Sequence, residues 1–347
     1  AQLALAAPGS PPLDVRDTGG TPQGAAAAAG AALAAGDGII IGPLTAPETA
    51  AVAPGARAAG VAVLAFTSDP AQAQPGVWTL GLTPAQQVRR LMTAATAEGR
   101  RNFAALLPRT PLGDALAEAM TATAAAMSLP PPRLRRYNPG FADLTAAVRD
   151  ISDYAGRRAP LDARMKQLRA AHTGAARHEA EELARHEVPP PPFDALLLGE
   201  TSAATMGEML PLLRYYDIGP GQVRLMGPAL WAGLAGAVRG LGGAWYAAPD
   251  PAARGPFVAA FQARTGSPPP PLADLAYDAA GVARTAAASG QYSAAALTRP
   301  DGYAGVDGVL GLLPDGHVRR GLAVFELDAS GARMVQPAPS SLAAPGV

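Results

Sequence analysis

The chain has 347 residues, which exceeds the usual size of a single domain and predicts two domains of similar bulk. Its 28 basic and 28 acidic residues cancel, so the sequence carries no electrostatic footprint for nucleic acid or for an anionic membrane surface. The absence of cysteine excludes disulfides, thiolate nucleophiles and cysteine-ligated metals. The longest near-continuous apolar run, residues 25–35, is shorter than the ~20 residues that a membrane span needs.

The first hundred residues alternate strands with helices. The chain opens in AQLALAAPG, which is typical of a helix end and predicts a processed or truncated N-terminus. A strand followed by a turn is then predicted within 13–20, and an alanine-rich helix at 21–35. Apolar strands follow at 39–41, 61–64 and 77–82. Because strands this apolar on both faces are typical of a parallel sheet covered by helices, the segment is an α/β domain.

A second series of strands and helices begins at residue 103. Its strands are predicted at 103–108, 133–139, 193–200, 223–231 and 243–250, with helices between them and at 252–265 and 272–289. Two strand-like runs within residues 305–327 are joined through Pro314, Asp315 and Gly316, whose turn chemistry predicts a hairpin. The tail over 336–347 is predicted to be flexible. The fold class is therefore α/β, with two doubly wound Rossmann-like lobes and a cleft between them.

Residues 157–187 depart from the rest in composition. They hold the only lysine, Lys166, three of the four histidines and a dense mixture of arginine and glutamate. The apolar residues of the segment form a narrow helical stripe: Leu161, Met165, Leu168 and Leu183. We interpret it as a charged helical insertion on the second lobe, with Arg164, Lys166, Glu181 and Glu182 exposed.

Polar side chains follow two neighbouring strands of the first lobe, at the edge where open α/β sheets bind ligands. These candidate ligand-binding residues are Thr45, Thr67, Ser68 and Asp69. Their side chains could bind a zwitterion or a peptide fragment, or they could cap helices and shape turns. Both interpretations stay open.

Four further residues are candidates for the cleft. Glu200 and Thr201 end the corresponding strand of the second lobe, where the glutamate could meet a ligand ammonium group or be a solvated loop charge. Trp231 and Tyr277 are candidate aromatic walls, although packing is favoured for both because most aromatic side chains serve cores.

Signatures of catalysis and of cofactors are lacking. The sole lysine lies outside any phosphate-binding loop, and no Gly-x-Ser-x-Gly elbow or dinucleotide glycine pattern is present. His178, Glu182 and His186 recur at helical spacing, but a zinc-protease motif would need a histidine at position 182, so no metal site is predicted. His317 lies in the hairpin turn, where a solvated role is expected. We predict a cleft that binds without reacting, with no catalytic residue and no cofactor.

The order of these elements resembles the type I periplasmic binding-protein fold of the leucine-binding family. GIIIGPLTAPE and VAVLAFTSD look like its consecutive ligand-loop strands, and YNPGFADLTAAVRDI and FDALLLGE look like elements of its second domain. The GPL after residue 41, the charged insertion and the closing GVDGVLGLLPDGHVRRGLAVFEL are most similar to bacterial penicillin-binding-protein activator lipoproteins. The first strand of the superfamily is missing, and Leu112 stands where an aromatic residue usually precedes Gly113.

The resemblance implies a division of the chain into two interleaved lobes. The first lobe would contain residues 1–100 and 244–302, and the second residues 101–243 and 303–335. Three crossovers are expected, near residues 99–102, 241–249 and 300–306.

The resemblance also implies a function. It indicates a non-catalytic periplasmic protein that activates a penicillin-binding protein, with a peptidoglycan synthase domain as partner and an anchor on a lipidated residue upstream of Ala1. The alternative is the solute receptor of an ABC transporter, which would bind a branched-chain or related amino acid and an ABC permease.

Overall fold

The computed structural model describes residues 1–184, 188–219, 221–234, 240–344 and 346–347. The α-helices are, in chain order, α1 (Pro22–Ala35), α2 (Ala46–Ala58), α3 (Pro84–Ala97), α4 (Pro111–Ala126), α5 (Phe141–Ser152), α6 (Tyr154–Ala170), α7 (Gly174–Ala184), α8 (Ala203–Tyr215), α9 (Gly255–Thr265), α10 (Ala273–Ser289) and α11 (Ala294–Leu297). The strands are β1 (Ile39–Ile41), β2 (Ala62–Ala65), β3 (Val77–Thr79), β4 (Phe103–Pro108), β5 (Arg133–Tyr137), β6 (Ala195–Leu198), β7 (Arg224–Gly227), β8 (Trp245–Ala248), β9 (Tyr303–Gly305), β10 (Gly308–Leu312), β11 (Val318–Arg320), β12 (Ala323–Leu327) and β13 (Ala332–Gln336). The predicted α/β class with parallel sheets is confirmed.

Two units divide the chain. Unit 1 contains Ala1–Gln86, Ala248–Ala323 and Pro337–Val347, and unit 2 contains Gln87–Ala247 and Val324–Gln336. The chain therefore passes from one unit to the other after residues 86, 247, 323 and 336.

Unit 1 is built on two small sheets. Strands β1, β2 and β3 are parallel and in that order, with Ile39 opposite Ala62 and Val63 opposite Val77. The residues of β2 are buried because helices α2 and α10 cover the sheet with alanine, valine and leucine side chains. Strands β9, β10 and β11 form the second, antiparallel sheet.

Unit 2 holds a seven-stranded sheet in the order β13-β12-β8-β7-β6-β4-β5. Strands β4 to β8 pair in parallel, with Phe103 opposite Ala195 and Ala195 opposite Arg224. The continuous burial of β4 and β6 explains their apolar runs, whereas β5 at the sheet edge alternates exposed and partly buried residues. A 3₁₀ segment over Ala229–Leu234 follows β7.

The strand predicted at 13–20 is absent. Residues 11–18 have no regular secondary structure, since no neighbouring strand offers them a hydrogen-bond ladder. They line a cavity of about 450 Å³ whose opposite wall includes β1.

The sequence placed two segments in the wrong unit. Strand β8 was expected in the first lobe, but it pairs in parallel with β7, Met226 lying opposite Trp245. The closing hairpin was expected in the second lobe, but the turn after β10 binds β3: Trp78 Nε1 donates to Leu313 O at 2.7 Å, and Thr79 N donates to Gly316 O at 3.3 Å. Only β12 and β13 continue into unit 2.

The tail predicted to be flexible instead packs on unit 1. A Cβ atom added at Gly302 or Gly311 would lie 2.6 or 2.5 Å from Leu342 Cδ1, so these glycines leave a depression that the leucine fills. Val347 is buried. Gly302 and Gly311 therefore make room for Leu342 of the tail.

Candidate functional site

The loops that follow β1, β2 and β3 meet along one edge of unit 1. Phe66 N donates to Pro43 O at 2.9 Å, and Gly81 N donates to Thr67 O at 3.1 Å. We call residues 42–45, 66–69 and 80–83 the unit 1 edge. The structure thus brings the four candidates of the first lobe onto adjoining loops, because parallel strands end at the same side of a sheet.

Thr45 caps helix α2. Its hydroxyl donates to Glu48 Oε2 at 2.7 Å, its backbone N–H donates to the same oxygen at 3.1 Å, and Glu48 N donates back to Thr45 Oγ1 at 3.4 Å. Thr18 donates to Glu48 Oε1 at 2.7 Å. These hydrogen bonds, led by those of Thr18 and Thr45, lower the pKa of the buried Glu48 against the opposing effect of burial. Glu48 was missed in the sequence, although the Thr-x-x-Glu spacing is a capping-box signal.

The loop after β2 is also held by its own side chains. Asp69 N donates to Thr67 Oγ1 at 3.1 Å, and Asp69 Oδ1 accepts from Ala71 N at 3.0 Å. Thr67 is buried, whereas Ser68 is exposed. Among the described residues, no hydrogen bond uses the Ser68 hydroxyl, so it is the one candidate of this loop whose side chain is available to a ligand.

The loops that follow β5, β6 and β7 form the corresponding edge of unit 2. We call residues 138–141, 199–202 and 228–231 the unit 2 edge, and it is organised around Glu200. Its Oε2 accepts from the Tyr137 hydroxyl at 2.8 Å, and its Oε1 accepts from Thr201 N at 2.9 Å and Ser202 N at 2.7 Å. Burial, reinforced by Glu200, raises the pKa of Tyr137 far above its ordinary value. Glu200 is therefore neither a free anion for a ligand nor a purely solvated charge. It ties β5 to the start of α8, a role that the sequence did not indicate.

Trp231 belongs to the core of unit 2. Its ring is fully buried against Gly227, and its Nε1 donates to Glu200 O at 2.8 Å. Tyr277, in unit 1, is half-buried and packs on Phe257 with ring centroids 4.8 Å apart. Packing, the favoured interpretation for both aromatic residues, agrees with these contacts.

Exposed apolar side chains lie beside the candidate polar groups. Leu44 at the unit 1 edge is 50% exposed. On the unit 2 edge, Phe141 after β5 and Leu230 after β7 are 58% and 63% exposed. Each edge thus offers apolar surface next to polar groups that are largely engaged within the unit.

The charged segment forms two helices, α6 and α7, which pack on each other within unit 2 through Leu168, Ala176 and Ala180. We call residues 154–184 the helical hairpin. Of the predicted stripe, Met165 and Leu168 are buried and Leu161 and Leu183 half-buried, while Arg164, Lys166, Glu181 and Glu182 are exposed.

Arg157 departs from the picture of a solvated insertion. Its guanidinium is buried and donates to three backbone carbonyl oxygens, those of Ser152 at 2.9 Å, Pro189 at 2.6 Å and Tyr216 at 2.7 Å. Burial lowers the pKa of Arg157. The first turn of the helical hairpin is therefore anchored in unit 2.

The histidine pattern of the helical hairpin is only partly described. His178 Nε2 lies 3.4 Å from Glu182 Oε1 in an exposed pair, and His186 lies outside the described residues. Across the described ranges, no group of three His, Cys, Asp or Glu side chains is arranged to hold a metal ion. Each helix in these ranges is also too short or too polar to cross a bilayer.

Parallel sheets flanked by helices, in two units assembled from separate stretches of chain, define the class: the chain has the fold of type I periplasmic binding proteins. Residues 13–156 match the family model described as periplasmic binding protein, which confirms the resemblance predicted from the sequence. A comparison with the sequences of curated proteins gives no significant match.

Solved structures with this fold include LpoA from Haemophilus influenzae, with a TM-score of 0.66 at 17% identity; the likeness covers 96% of this chain but only 55% of LpoA. The C-domain of LpoA, described as a regulator of PBP1A, gives a TM-score of 0.63 at 17% identity; the likeness covers 96% of this chain and 93% of the C-domain. A Rhodospirillum rubrum protein provisionally assigned as a branched-chain amino acid ABC transporter gives a TM-score of 0.66 at 18% identity; the likeness covers 93% of this chain and 88% of that protein. At identities this low, the likeness shows the fold alone.

Proposed function

We propose that the chain is a non-catalytic periplasmic binding protein whose main partner is another protein, a peptidoglycan synthase that it activates. The observation that carries the proposal is the engagement of the candidate ligand groups within their own units. Thr45 and Asp69 cap their own backbone segments, and Glu200 binds Tyr137 and two backbone N–H groups. A free amino acid would have to displace these hydrogen bonds, each worth about 1 kcal/mol net.

The exposed surface supports a protein partner. Leu44, Phe141 and Leu230 offer apolar side chains of the kind that become buried when proteins associate. The helical hairpin adds an exposed charged surface that is anchored through Arg157, so a partner could bind it without reorganising the unit. The likeness to the C-domain of LpoA, itself described as a regulator of PBP1A, is consistent with this proposal. A periplasmic location with a lipid anchor follows from the same proposal.

The second candidate function is reception of an amino acid for an ABC transporter. The free hydroxyl of Ser68 favours it, because an exposed donor and acceptor at the end of a parallel strand suits a ligand carboxylate. The likeness to the Rhodospirillum rubrum protein is also consistent with a solute receptor.

Two measurements separate these functions. In a thermal-shift screen of the common amino acids, a ligand at 100 times its dissociation constant would stabilise the fold by ~2.7 kcal/mol. We expect no hit. A strong shift that Ser68→Ala abolishes would establish the receptor and overturn the proposal.

The second measurement is binding to the soluble domain of a peptidoglycan synthase from the same organism. Reversing the charge of Lys166 in the helical hairpin should weaken binding, whereas Arg264→Glu, on an exposed face of α9, should not. Equal binding by wild type, Lys166→Glu and Arg264→Glu would remove the helical hairpin from the interface. Absence of binding by the wild type would refute the activator.

A further inference from the structure

A buried ionic cluster lies inside unit 1. We use the name ionic cluster for Arg254, Asp274, Asp278, Asp307 and Arg320. Arg254 precedes α9, Asp274 and Asp278 lie one turn apart on α10, Asp307 sits between β9 and β10, and Arg320 ends β11. The side chains of Asp278 and Arg320 are each 1% exposed, and that of Asp307 is 13% exposed. The side chain of Asp274 is 6% exposed and that of Arg254 29%, so four of the five charged groups are buried or nearly so and Arg254 closes the cluster towards solvent.

The two arginines are already paired. Arg254 forms a two-pronged ion pair with Asp274, in which Nη2 donates to Oδ1 at 2.7 Å and Nε donates to Oδ2. Arg320 Nη1 donates to Asp278 Oδ2 at 3.3 Å, and Asp278 Oδ1 accepts from Val306 N at 2.7 Å. The cluster therefore contains two matched pairs and one further carboxyl group.

Asp307 is the group left over. Its Oδ2 lies 3.8 Å from Arg320 Nη1, beyond hydrogen-bond distance, and no hydrogen bond to its carboxyl group occurs within the described part of the chain. Burial raises the pKa of Asp307 to about 6, with Asp274 and Asp278 adding to the effect and Arg320 and Arg254 opposing it. Burial also raises the pKa of Asp278, against the opposing effects of its pair with Arg320 and its hydrogen bond from Val306 N. A third negative charge beside two balanced pairs is costly in a medium of low dielectric.

The ionic cluster is connected to the unit 1 edge. Arg320 Nη2 donates to Leu80 O at 3.2 Å, and the next residue, Gly81, donates its N–H to Thr67 O at 3.1 Å. The guanidinium that faces Asp307 therefore also holds the loop that follows β3. A change in charge at Asp307 acts on Arg320 and, through it, on this loop.

We propose that Asp307 is a proton-accepting switch, through which pH sets the stability of unit 1 and the hold of Arg320 on the loop at the unit 1 edge. Neutral Asp307 leaves two balanced ion pairs and an Arg320 that is free to hold Leu80 O. Ionised Asp307 adds an uncompensated charge and draws Arg320 away from that oxygen. The switch is independent of whether the edge binds an amino acid or a protein.

The sign of the pH dependence follows from the direction of the shift. Because the pKa of Asp307 is higher in the folded chain than in the unfolded chain, the folded state binds more protons between the ordinary pKa of an aspartate and about 6. The free energy of unfolding therefore falls as the pH rises through this window. Above this pH window the stabilisation from protonated Asp307 is fully lost.

Urea denaturation of the full chain at about pH 4.5 and about pH 7.5 tests the switch. Asp307→Asn should raise the stability at the higher pH, have little effect at the lower, and so reduce the pH dependence. Glu118→Gln, at an exposed carboxyl group on α4, should leave the profile of the wild type unchanged. A difference between wild type and Asp307→Asn that is the same at both pH values would overturn the proposal, as would a loss of stability in Asp307→Asn at the higher pH.

Two further measurements locate the proton and the loop. Asp278→Asn should destabilise the chain at both pH values, because it removes the close partner of a buried Arg320. If Asp278→Asn instead abolishes the pH dependence, Asp278 carries the proton and Asp307 is not the switch. Hydrogen exchange of the Gly81 amide, corrected for intrinsic rates, should show less protection at the higher pH in the wild type and a flat profile in Asp307→Asn. If the Gly81 amide of the wild type is equally protected at both pH values, the charge of Asp307 does not affect the loop, and that part of the proposal is wrong.

Discussion

The contact between Gly227 and Trp231 makes a sharp test of how the unit 2 edge is built. A Cβ atom added at Gly227 would lie 2.1 Å from Cε2 and 2.3 Å from Cδ2 of the indole, so Gly227→Ala must push the ring by more than 1 Å, about the shortfall from van der Waals contact. Trp231 is fully buried, so its ring cannot move without displacing the residues that enclose it. Overpacking of this kind costs about 1–3 kcal/mol, and loss of the hydrogen bond from Trp231 to Glu200 O adds about 1 kcal/mol. We expect Gly227→Ala to lower the free energy of unfolding by about 2–4 kcal/mol.

Urea denaturation, followed by circular dichroism and tryptophan fluorescence, measures this loss. The matched control is Gly207→Ala on α8, where a Cβ atom meets nothing within 4 Å and the residue is exposed. That change should stabilise by about 0.5–1 kcal/mol, because alanine loses less backbone entropy in a helix. In a Trp231→Leu background, Gly227→Ala should cost much less, since the ring that it strikes is gone. Stability of Gly227→Ala equal to wild type, or an equal cost in both backgrounds, would refute the packing argument.

Three further predictions concern buried polar groups and one cap. Arg157→Met should cost about 3 kcal/mol in urea denaturation, because it leaves three carbonyl oxygens without their donor. Arg169→Met, at an exposed position of the same helix, should have little effect. Equal effects would show that the burial of Arg157 contributes nothing. Because the pKa of Glu48 is lowered in the folded chain, its contribution to stability is present at neutral pH and is lost as the pH falls through the folded-state pKa. Glu48→Gln should therefore flatten the acid side of the plot of unfolding free energy against pH. An unchanged acid side would contradict this. Thr45→Ala should lower the free energy of unfolding by about 1 kcal/mol through loss of the α2 cap, and a neutral effect in thermal denaturation would show that the cap is dispensable.

Much of the local structure follows from short-range patterns. The apolar runs around Ile40, Val63 and Leu197 predict buried parallel strands because they show no polar alternation. The turn chemistry around Asp315 predicts a hairpin, which β10 and β11 form. The polar residues at the ends of β1 and β2 were placed on one edge for the same reason, since parallel strands end together.

The chemical state of those polar residues could not be predicted, because their partners are set by the fold. The Thr-x-x-Glu spacing of Thr45 and Glu48 is a local signal for a cap, but the hydrogen bond from Thr18, thirty residues away from Glu48 in sequence, could not be predicted. From the sequence, Glu200 is interpreted as a ligand group or a loop charge. Only the fold places the Tyr137 hydroxyl of β5 at 2.8 Å from Glu200 Oε2. Arg157 reads as part of a solvated charged segment, although the chain around Pro189 and Tyr216 encloses it.

The alternation of strands and helices, the α/β class and the resemblance to periplasmic binding proteins follow from the amino-acid sequence, because apolar runs and turn residues within short segments indicate them. Tertiary structure alone decided which sheet β8 joins, where the hairpin docks, and that the tail packs over Gly302 and Gly311. An apolar strand such as β8 can pair with any free sheet edge that buries it, so its own residues do not identify the strand that it pairs with. The docking of the hairpin is decided by contacts between residues far apart in the chain, such as Trp78 with Leu313, and these exist only in the folded protein.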